Sequence, residues 1–212
     1  MTMPAFADRA DAGRRLAAAL PQLAGADAVV LALPRGGVPV AAPVARALGA
    51  PLDVIVVRKI VVPRYPELAL GAVGEDGVRV ANPDVVRAAG VEPGELREAT
   101  AVAAAQVERR LRNLRAGRPG PGWAGRTVVI VDDGAATGAT ARAACHVARA
   151  RGAARVVLAL PVAAPGAAAL LAGEADEVIV LEQPAELGAV GAWYADFEPT
   201  TEEEVAALLA DR

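Results

Sequence analysis

Val128-Val129-Ile130-Val131-Asp132-Asp133-Gly134-Ala135-Ala136-Thr137-Gly138-Ala139-Thr140 decides the fold. Four β-branched residues in a row read as a strand buried on both faces, the pattern of a parallel sheet. Two carboxylates stand at the C-terminal end of that strand, a loop of Gly, Ala and Thr follows, and residues 139–151 read as a helix. In open α/β sheets, ligands bind in the crevice beyond the carboxyl ends of the strands. Small residues let the backbone approach a ligand closely. The free N–H groups of a helix N-terminus favour an anion, and Thr137 and Thr140 add hydroxyl donors. The loop 134–140 is therefore expected to hold a phosphate, with Asp132 and Asp133 facing hydroxyls or a metal. The bland alternative is an ordinary strand–turn–helix whose aspartates cap the helix.

An apolar strand, two acidic residues and a small-residue loop with Thr-Gly-x-Thr together resemble the phosphoribosyl diphosphate (PRPP) motif of type I phosphoribosyltransferases. The match covers thirteen residues in order. The run of elements over nearly the whole chain is similar to that of bacterial members with no assigned acceptor.

Working outward, residues 28–33 form the first strong strand and run into Pro34-Arg35-Gly36-Gly37, followed by a helix over about 40–48. In the family the matching loop binds the pyrophosphate of PRPP, which implies that role for Arg35, Gly36 and Gly37. Taken alone, the loop is equally a tight turn with a solvated Arg35. Residues 53–58 read as the next buried strand, ending in Arg58-Lys59. Lys59 is the sole lysine of the chain. A compact ammonium differs physically from the flat guanidinium fork, and basic pairs at this place in several phosphoribosyltransferases contact the diphosphate. A strand-end charge kept in water is the other reading.

Residues 68–73 and 78–81 can pair as a hairpin around Glu75-Asp76-Gly77, and the family has a mobile lid here. Residues 93–116 read as a long helix, with Leu96, Ala103, Val107, Leu111 and Leu114 on one apolar face. Arg109, Arg110, Arg112 and Arg115 lie largely off that face, the usual sign of a solvated side. Gly120-Pro-Gly122-Trp-Ala-Gly125 matches G-x-G-x-x-G in form only, because it precedes a strand instead of following one. The strand 155–160, a helix near 165–172 and the strand 177–181 complete a βα alternation. In the tail, Trp193, Tyr194 and Phe197 place three of the six aromatics within five residues. They suit either a wall for an acceptor ring or a small hydrophobic lid core. Thr201-Glu-Glu-Glu204 opens a last helix with a capping-box pattern.

Composition excludes much. The chain has 212 residues, 54% hydrophobic and 22% charged, with net charge −3, and gives no reason to expect a nucleic-acid surface. It has no serine, so a Gly-x-Ser-x-Gly nucleophile is ruled out. Cys145 and His146 are the only residues of their types. As helix neighbours they point about 100° apart and form no dyad. The uncharged run 156–173 contains Pro161, Pro165 and Gly166 and reads as strand, turn and helix, with no membrane span. The opening, with Asp8, Arg9 and Asp11, does not read as a secretory leader, and a lone cysteine agrees with a reducing cytoplasm.

The expected fold is α/β, a doubly wound, mainly parallel sheet with helices on both faces, plus a flexible hairpin lid and a small C-terminal hood. Residues 1–182 form the core, including a lid at 59–82, and 183–212 form the hood. The resemblance implies Mg²⁺-PRPP binding and transfer of the 5-phosphoribosyl group to a nitrogen acceptor with release of pyrophosphate. A non-catalytic PRPP- or nucleotide-binding regulator on the same fold is the alternative. The transferase resemblance implies that Asp132, Asp133 and Lys59 are catalytic, the two aspartates also holding Mg²⁺ through water. Residues 134–140 take the 5′-phosphate, Arg35, Gly36, Gly37, Arg58 and Lys59 take the diphosphate, and Trp193 and Tyr194 take the acceptor. The expected partners are PRPP and a small acceptor, with no nucleic acid and no membrane; a homodimer is one assembly left open, and the sequence does not fix the oligomeric state. In 6-oxopurine enzymes the residue before Thr-Gly is an Asp that handles the purine proton. Here it is Ala136.

Overall fold

The computed structural model describes residues 4–210. In chain order the elements are α1 (Arg9–Ala18), β1 (Ala28–Ala32), α2 (Gly37–Leu48), β2 (Leu52–Val54), β3 (Arg58–Ile60), β4 (Gly71–Val73), β5 (Arg79–Ala81), α3 (Pro83–Ala88), α4 (Pro93–Arg115), β6 (Thr127–Val131), α5 (Ala139–Ala150), β7 (Arg155–Val162), α6 (Pro165–Leu171), β8 (Glu177–Glu182) and α7 (Glu202–Ala210). Five strands form one sheet in the order β2-β1-β6-β7-β8, and every neighbouring pair is parallel.

Strand side chains alternate between faces, so each central strand feeds two cores. Val29, Leu31, Val128, Ile130, Val156 and Leu158 meet α5 and α6. Val30, Ala32, Val129, Val131, Val157 and Ala159 meet α1, α2, α4 and α7. Each fully buried Val or Ile contributes roughly 1.5–3 kcal/mol, which is why an unbroken apolar run selects the centre of a parallel sheet. The run 156–173 is β7, a turn and α6, and among the described residues no helix is long and apolar enough to cross a membrane. The capping box at α7 is reciprocal: the Glu204 N–H donates to Thr201 Oγ1 at 3.1 Å, and the Thr201 N–H to Glu204 Oε2 at 2.8 Å.

The structure departs from several of these expectations. The strand read over 53–58 is two strands: β2 stays in the parallel sheet, while β3 pairs antiparallel with β4 in a separate sheet ordered β3-β4-β5. Arg58-Lys59 therefore opens a hairpin strand and does not end a core strand. The hairpin pairs β4 with β5, Gly71 opposite Ala81 and Val73 opposite Arg79, as its pattern predicts. Its tip, however, is bolted down. Glu75 receives both Nη1 and Nη2 of Arg115 at 2.6 and 2.8 Å and Arg151 Nη1 at 2.9 Å, and Arg151 Nη2 reaches Asp76 at 2.7 Å. Within the expected lid over 59–82 the hairpin tip is thus docked on α4 and Arg151, and the exposed excursion is residues 63–68.

Arg115 also corrects the reading of the α4 arginines. It is 5% exposed, and it pairs through Nη2 with Oδ2 of the fully buried Asp53 at 2.7 Å. A fork-shaped cation between the buried Asp53 and the half-buried Glu75 holds β2, α4 and the hairpin tip together. The C-terminal segment packs in two places. Val205 and Leu209 of α7 sit in the main core. The remaining tail shares a small cluster with the N-terminus: Phe6, Ala12, Val162, Leu187 and Tyr194.

Candidate active site

The sheet order places the site. From β1 the chain passes through α2 on one face to β2, and from β6 through α5 on the other face to β7. β1 and β6 are neighbours, with Ala32 opposite Val131. Connections that leave two adjacent strands in opposite directions open a crevice at their carboxyl ends, where α/β sheets bind ligands. The β1 loop with Arg35-Gly36-Gly37 and the β6 loop with Asp132-Asp133 both empty into it.

These loops touch. A Cβ built on Gly36 would lie 2.0 Å from Asp133 Oδ2, and one on Gly37 would lie 2.7 Å from the Val131 carbonyl and 3.0 Å from the Asp132 Cα. Only a chain without side chains passes there, so the two glycines permit the approach of the β1 loop to the acidic pair. Arg35 itself is exposed.

The loop 134–140 has the form of an anion nest. Ala135 is tied into the sheet edge: its N–H donates to the Val162 carbonyl and its carbonyl accepts from Ala164, both at 2.9 Å. Gly138 takes φ +73°, a left-handed turn that starts α5. The first backbone N–H of α5 to find a carbonyl is that of Arg142, to Gly138 at 2.8 Å. Ala139 N–H leans on Thr137 Oγ1 at 3.4 Å. The N–H groups of Ala136, Thr137, Gly138 and Thr140 border a cavity of about 110 Å³ walled by residues 134–141 and Asp132. Free N–H donors around a cavity of that size fit one phosphate group.

The acidic pair is electrostatically loaded. Asp132 Oδ1 accepts the Asp133 N–H at 2.9 Å. Burial, then the neighbouring Asp133, push the Asp132 carboxyl well above the usual carboxylate range. Burial also raises Asp133, against the opposing pull of the Arg9 guanidinium. Two carboxylates this close call for a cation or for hydroxyl donors. Among the described residues no group of three or more His, Cys, Asp or Glu could cage a metal. A Mg²⁺ ion, which keeps waters and takes one or two carboxylates plus substrate phosphates, fits such a donor set.

Not every expected residue joins the crevice in the expected way. Lys59, exposed and opposite Ala72, lines a groove of about 370 Å³ between the hairpin and α5. That groove reaches Ala139 at the edge of the phosphate loop and also bears Arg142 and His146. Arg58 is exposed on the same strand. Tyr194 does not offer a face to an acceptor. It is 4% exposed, packs between Phe6 and Phe197 with centroids 5.3 and 5.0 Å away, and donates its hydroxyl to the Asp133 carbonyl at 2.6 Å. Trp193 is half-buried, its Nε1 donating to the Leu187 carbonyl at 3.1 Å. Arg9, which no local pattern singles out, donates through Nε to Asp133 Oδ2 at 3.0 Å.

Comparison with known proteins agrees with this geometry. A profile of the phosphoribosyl transferase domain matches residues 6–187. The chain belongs to the phosphoribosyltransferase family. A Mycobacterium tuberculosis relative named "Putative phosphoribosyl transferase Rv0571c" is 54% identical over 207 residues, covering 98% of this chain and 47% of that protein. The chain thus spans about half the length of the curated relatives it matches. The crystal structure of TT1426 from Thermus thermophilus is 46% identical and superposes with TM-score 0.89 over 97% of this chain and 98% of the other. At 14% identity and TM-score 0.52, a hypothetical protein from Neisseria gonorrhoeae with bound ppGpp shares the fold over 100% of this chain and 99% of the other. Membership makes the parallel sheet with its crevice a phosphoribosyltransferase core, and the protein a member of a transferase family.

Proposed function

We propose that this phosphoribosyltransferase binds Mg²⁺-PRPP and transfers its 5-phosphoribosyl group to a nitrogen acceptor. The bond from C1 to the diphosphate oxygen breaks, the diphosphate leaves with the electron pair, and a C1–N bond forms. One observation supports this above the rest: the Gly36-Gly37 backbone closes against Asp132-Asp133 beside the phosphate cavity. Sites for a 5′-phosphate, a ribose diol and a diphosphate then lie in the order in which PRPP carries them.

The N–H groups of 134–140 hold the 5′-phosphate. Asp132 and Asp133 accept from the ribose hydroxyls, and their negative charge suits a sugar that becomes cationic as the diphosphate departs. Both aspartates would also hold Mg²⁺, which when bound would neutralise charge on the leaving group. Arg35 and Lys59 attract the diphosphate, with Arg58 beside them. Trp193 is the tail aromatic left to meet the acceptor. The protein acts in the cytoplasm on small molecules, with neither nucleic acid nor membrane as partner.

A second reading, a PRPP- or nucleotide-binding regulator without turnover, is favoured by two details. Ala136 can neither give nor take a proton, and Glu75, a hairpin carboxylate otherwise suited to act as base, is locked by Arg115 and Arg151. Pyrophosphate release from PRPP across a panel of bases and amines separates the readings, beside calorimetry with PRPP and a nucleoside 5′-monophosphate. Binding with release selects the transferase; binding without release selects the regulator. Binding that survives Asp132→Asn with Asp133→Asn overturns the site.

A further inference from the structure

Arg9 opens α1, 124 residues before Asp133, yet its Nε donates to Asp133 Oδ2 at 3.0 Å. The two side chains are 11% and 17% exposed. The guanidinium is fixed from other sides as well. Its Nη1 donates to the Glu198 carbonyl at 2.8 Å, and its Cζ lies 3.7 Å from the centroid of the Phe197 ring. These supports come from the tail, which is zipped to the N-terminal segment. The Phe6 N–H donates to the Trp193 carbonyl at 3.0 Å, Ala195 N–H to Phe6 at 2.8 Å and Asp196 N–H to Ala7 at 2.9 Å. The Gly36 backbone closes on the same Asp133 oxygen: a Cβ built there would lie 2.0 Å from Oδ2 and 3.4 Å from Arg9 Nε.

We infer that Arg9 is a positioning residue that acts through Asp133. It holds that carboxylate against the diphosphate loop and cancels one of the two charges of the acidic pair, so that the crevice admits a polyanion. The inference rests on the phosphoribosyl reading above. The reason is electrostatic. Two bare carboxylates repel a ligand bearing several phosphate charges and attract a metal ion, and a partly buried site screens neither effect well. A fixed guanidinium moves both in opposite senses: the anion binds better and the free cation binds less well. A merely structural Arg9 predicts no such opposition.

Arg9→Ala and Arg9→Lys test this by calorimetry, beside the wild type. Two quantities are read: the Kd of a nucleoside 5′-monophosphate without metal, and the Mg²⁺ concentration that half-saturates PRPP binding. Arg9→Ala is expected to weaken the monophosphate about tenfold, the scale of a lost charge-assisted contact. The half-saturating Mg²⁺ concentration falls in the same variant. Arg9→Lys keeps the charge and loses the fork, and it should hold both quantities within about threefold of wild type, less than the tenfold step of 1.4 kcal/mol. Both quantities unchanged in Arg9→Ala, or both rising together, overturns the role of Arg9 and leaves the phosphoribosyl reading standing. A wild type that binds neither ligand overturns that reading, and this role with it.

Discussion

The hydroxyl of Tyr194 donates to the backbone carbonyl of Asp133 at 2.6 Å. Burial, then the Asp133 charge, hold that phenol well above its ordinary pKa. It therefore stays a neutral donor throughout the working range and buttresses the acidic pair from below. Tyr194→Phe removes the donor and keeps the ring. The expected loss is about 1 kcal/mol of stability, the usual net worth of one hydrogen bond, with PRPP binding weakened as Asp133 loosens. Urea unfolding and calorimetry check it. A variant as stable as the wild type with unchanged binding would show that the contact holds nothing in place.

Gly36→Ala is a one-methyl test of how the site is assembled. Its Cβ would meet Asp133 Oδ2 at 2.0 Å, whereas at Gly166, in the first turn of α6, a Cβ would meet nothing within 4 Å. Pushing the two loops apart should cost about 1–3 kcal/mol, the range for overpacking. It should also abolish measurable PRPP binding, while Gly166→Ala leaves binding and melting temperature near wild type. Equal behaviour of the two variants would mean that the loops need not touch.

Glu75 gives a pH dependence with a definite sign. Burial raises its pKa, but the hydrogen bonds and charges of Arg115 and Arg151 outweigh that and leave it below the usual glutamate value of 4.5. A depressed folded-state pKa means stability that is present above the unfolded value and lost as pH falls through the folded one. Glu75→Gln should therefore be less stable than wild type at pH 7, by roughly 3–5 kcal/mol if breaking one side of a buried ionic cluster sets the scale. The gap should narrow below pH 4.5. Denaturant titrations at several pH values measure it, and a pH-independent gap would remove the ion pairs as its cause.

Ala136 bears on the acceptor. It is exposed in the phosphate loop, where a proton-handling aspartate would be worth about 10²–10⁴ in rate. Hypoxanthine, guanine and xanthine should turn over far below ~10 s⁻¹, the enzyme median. Ala136→Asp should raise any such rate. Steady-state assays decide it; wild-type turnover near the median would show that another group supplies the base.

The parallel sheet and the turn of small residues after β6 are legible in the residues because their causes are local. Val128 to Val131 are apolar on both faces, and a strand, an acidic pair and a small-residue turn are consecutive in the chain. The capping box of α7 and the β4–β5 hairpin are local in the same sense. Arg115 misleads because a helical stripe reports the angle of a side chain and not what approaches it. Only the fold brings Asp53 and Glu75 to its fork. Tyr194 misleads for the same reason: a cluster of aromatics suits a wall or a core equally well until Phe6 is seen to pack on it.

What the sequence by itself determined is therefore the strand-loop-helix that offers N–H donors and two carboxylates at the end of β6, since backbone geometry and residue type suffice for it. The tertiary structure alone decided that the loop after β1 closes on that pair through Gly36, and that Arg9 and Tyr194 hold Asp133 from the two ends of the chain. Those contacts span 61 residues or more. No local propensity encodes them; they exist because parallel strands with helices on both faces place distant loops around one crevice.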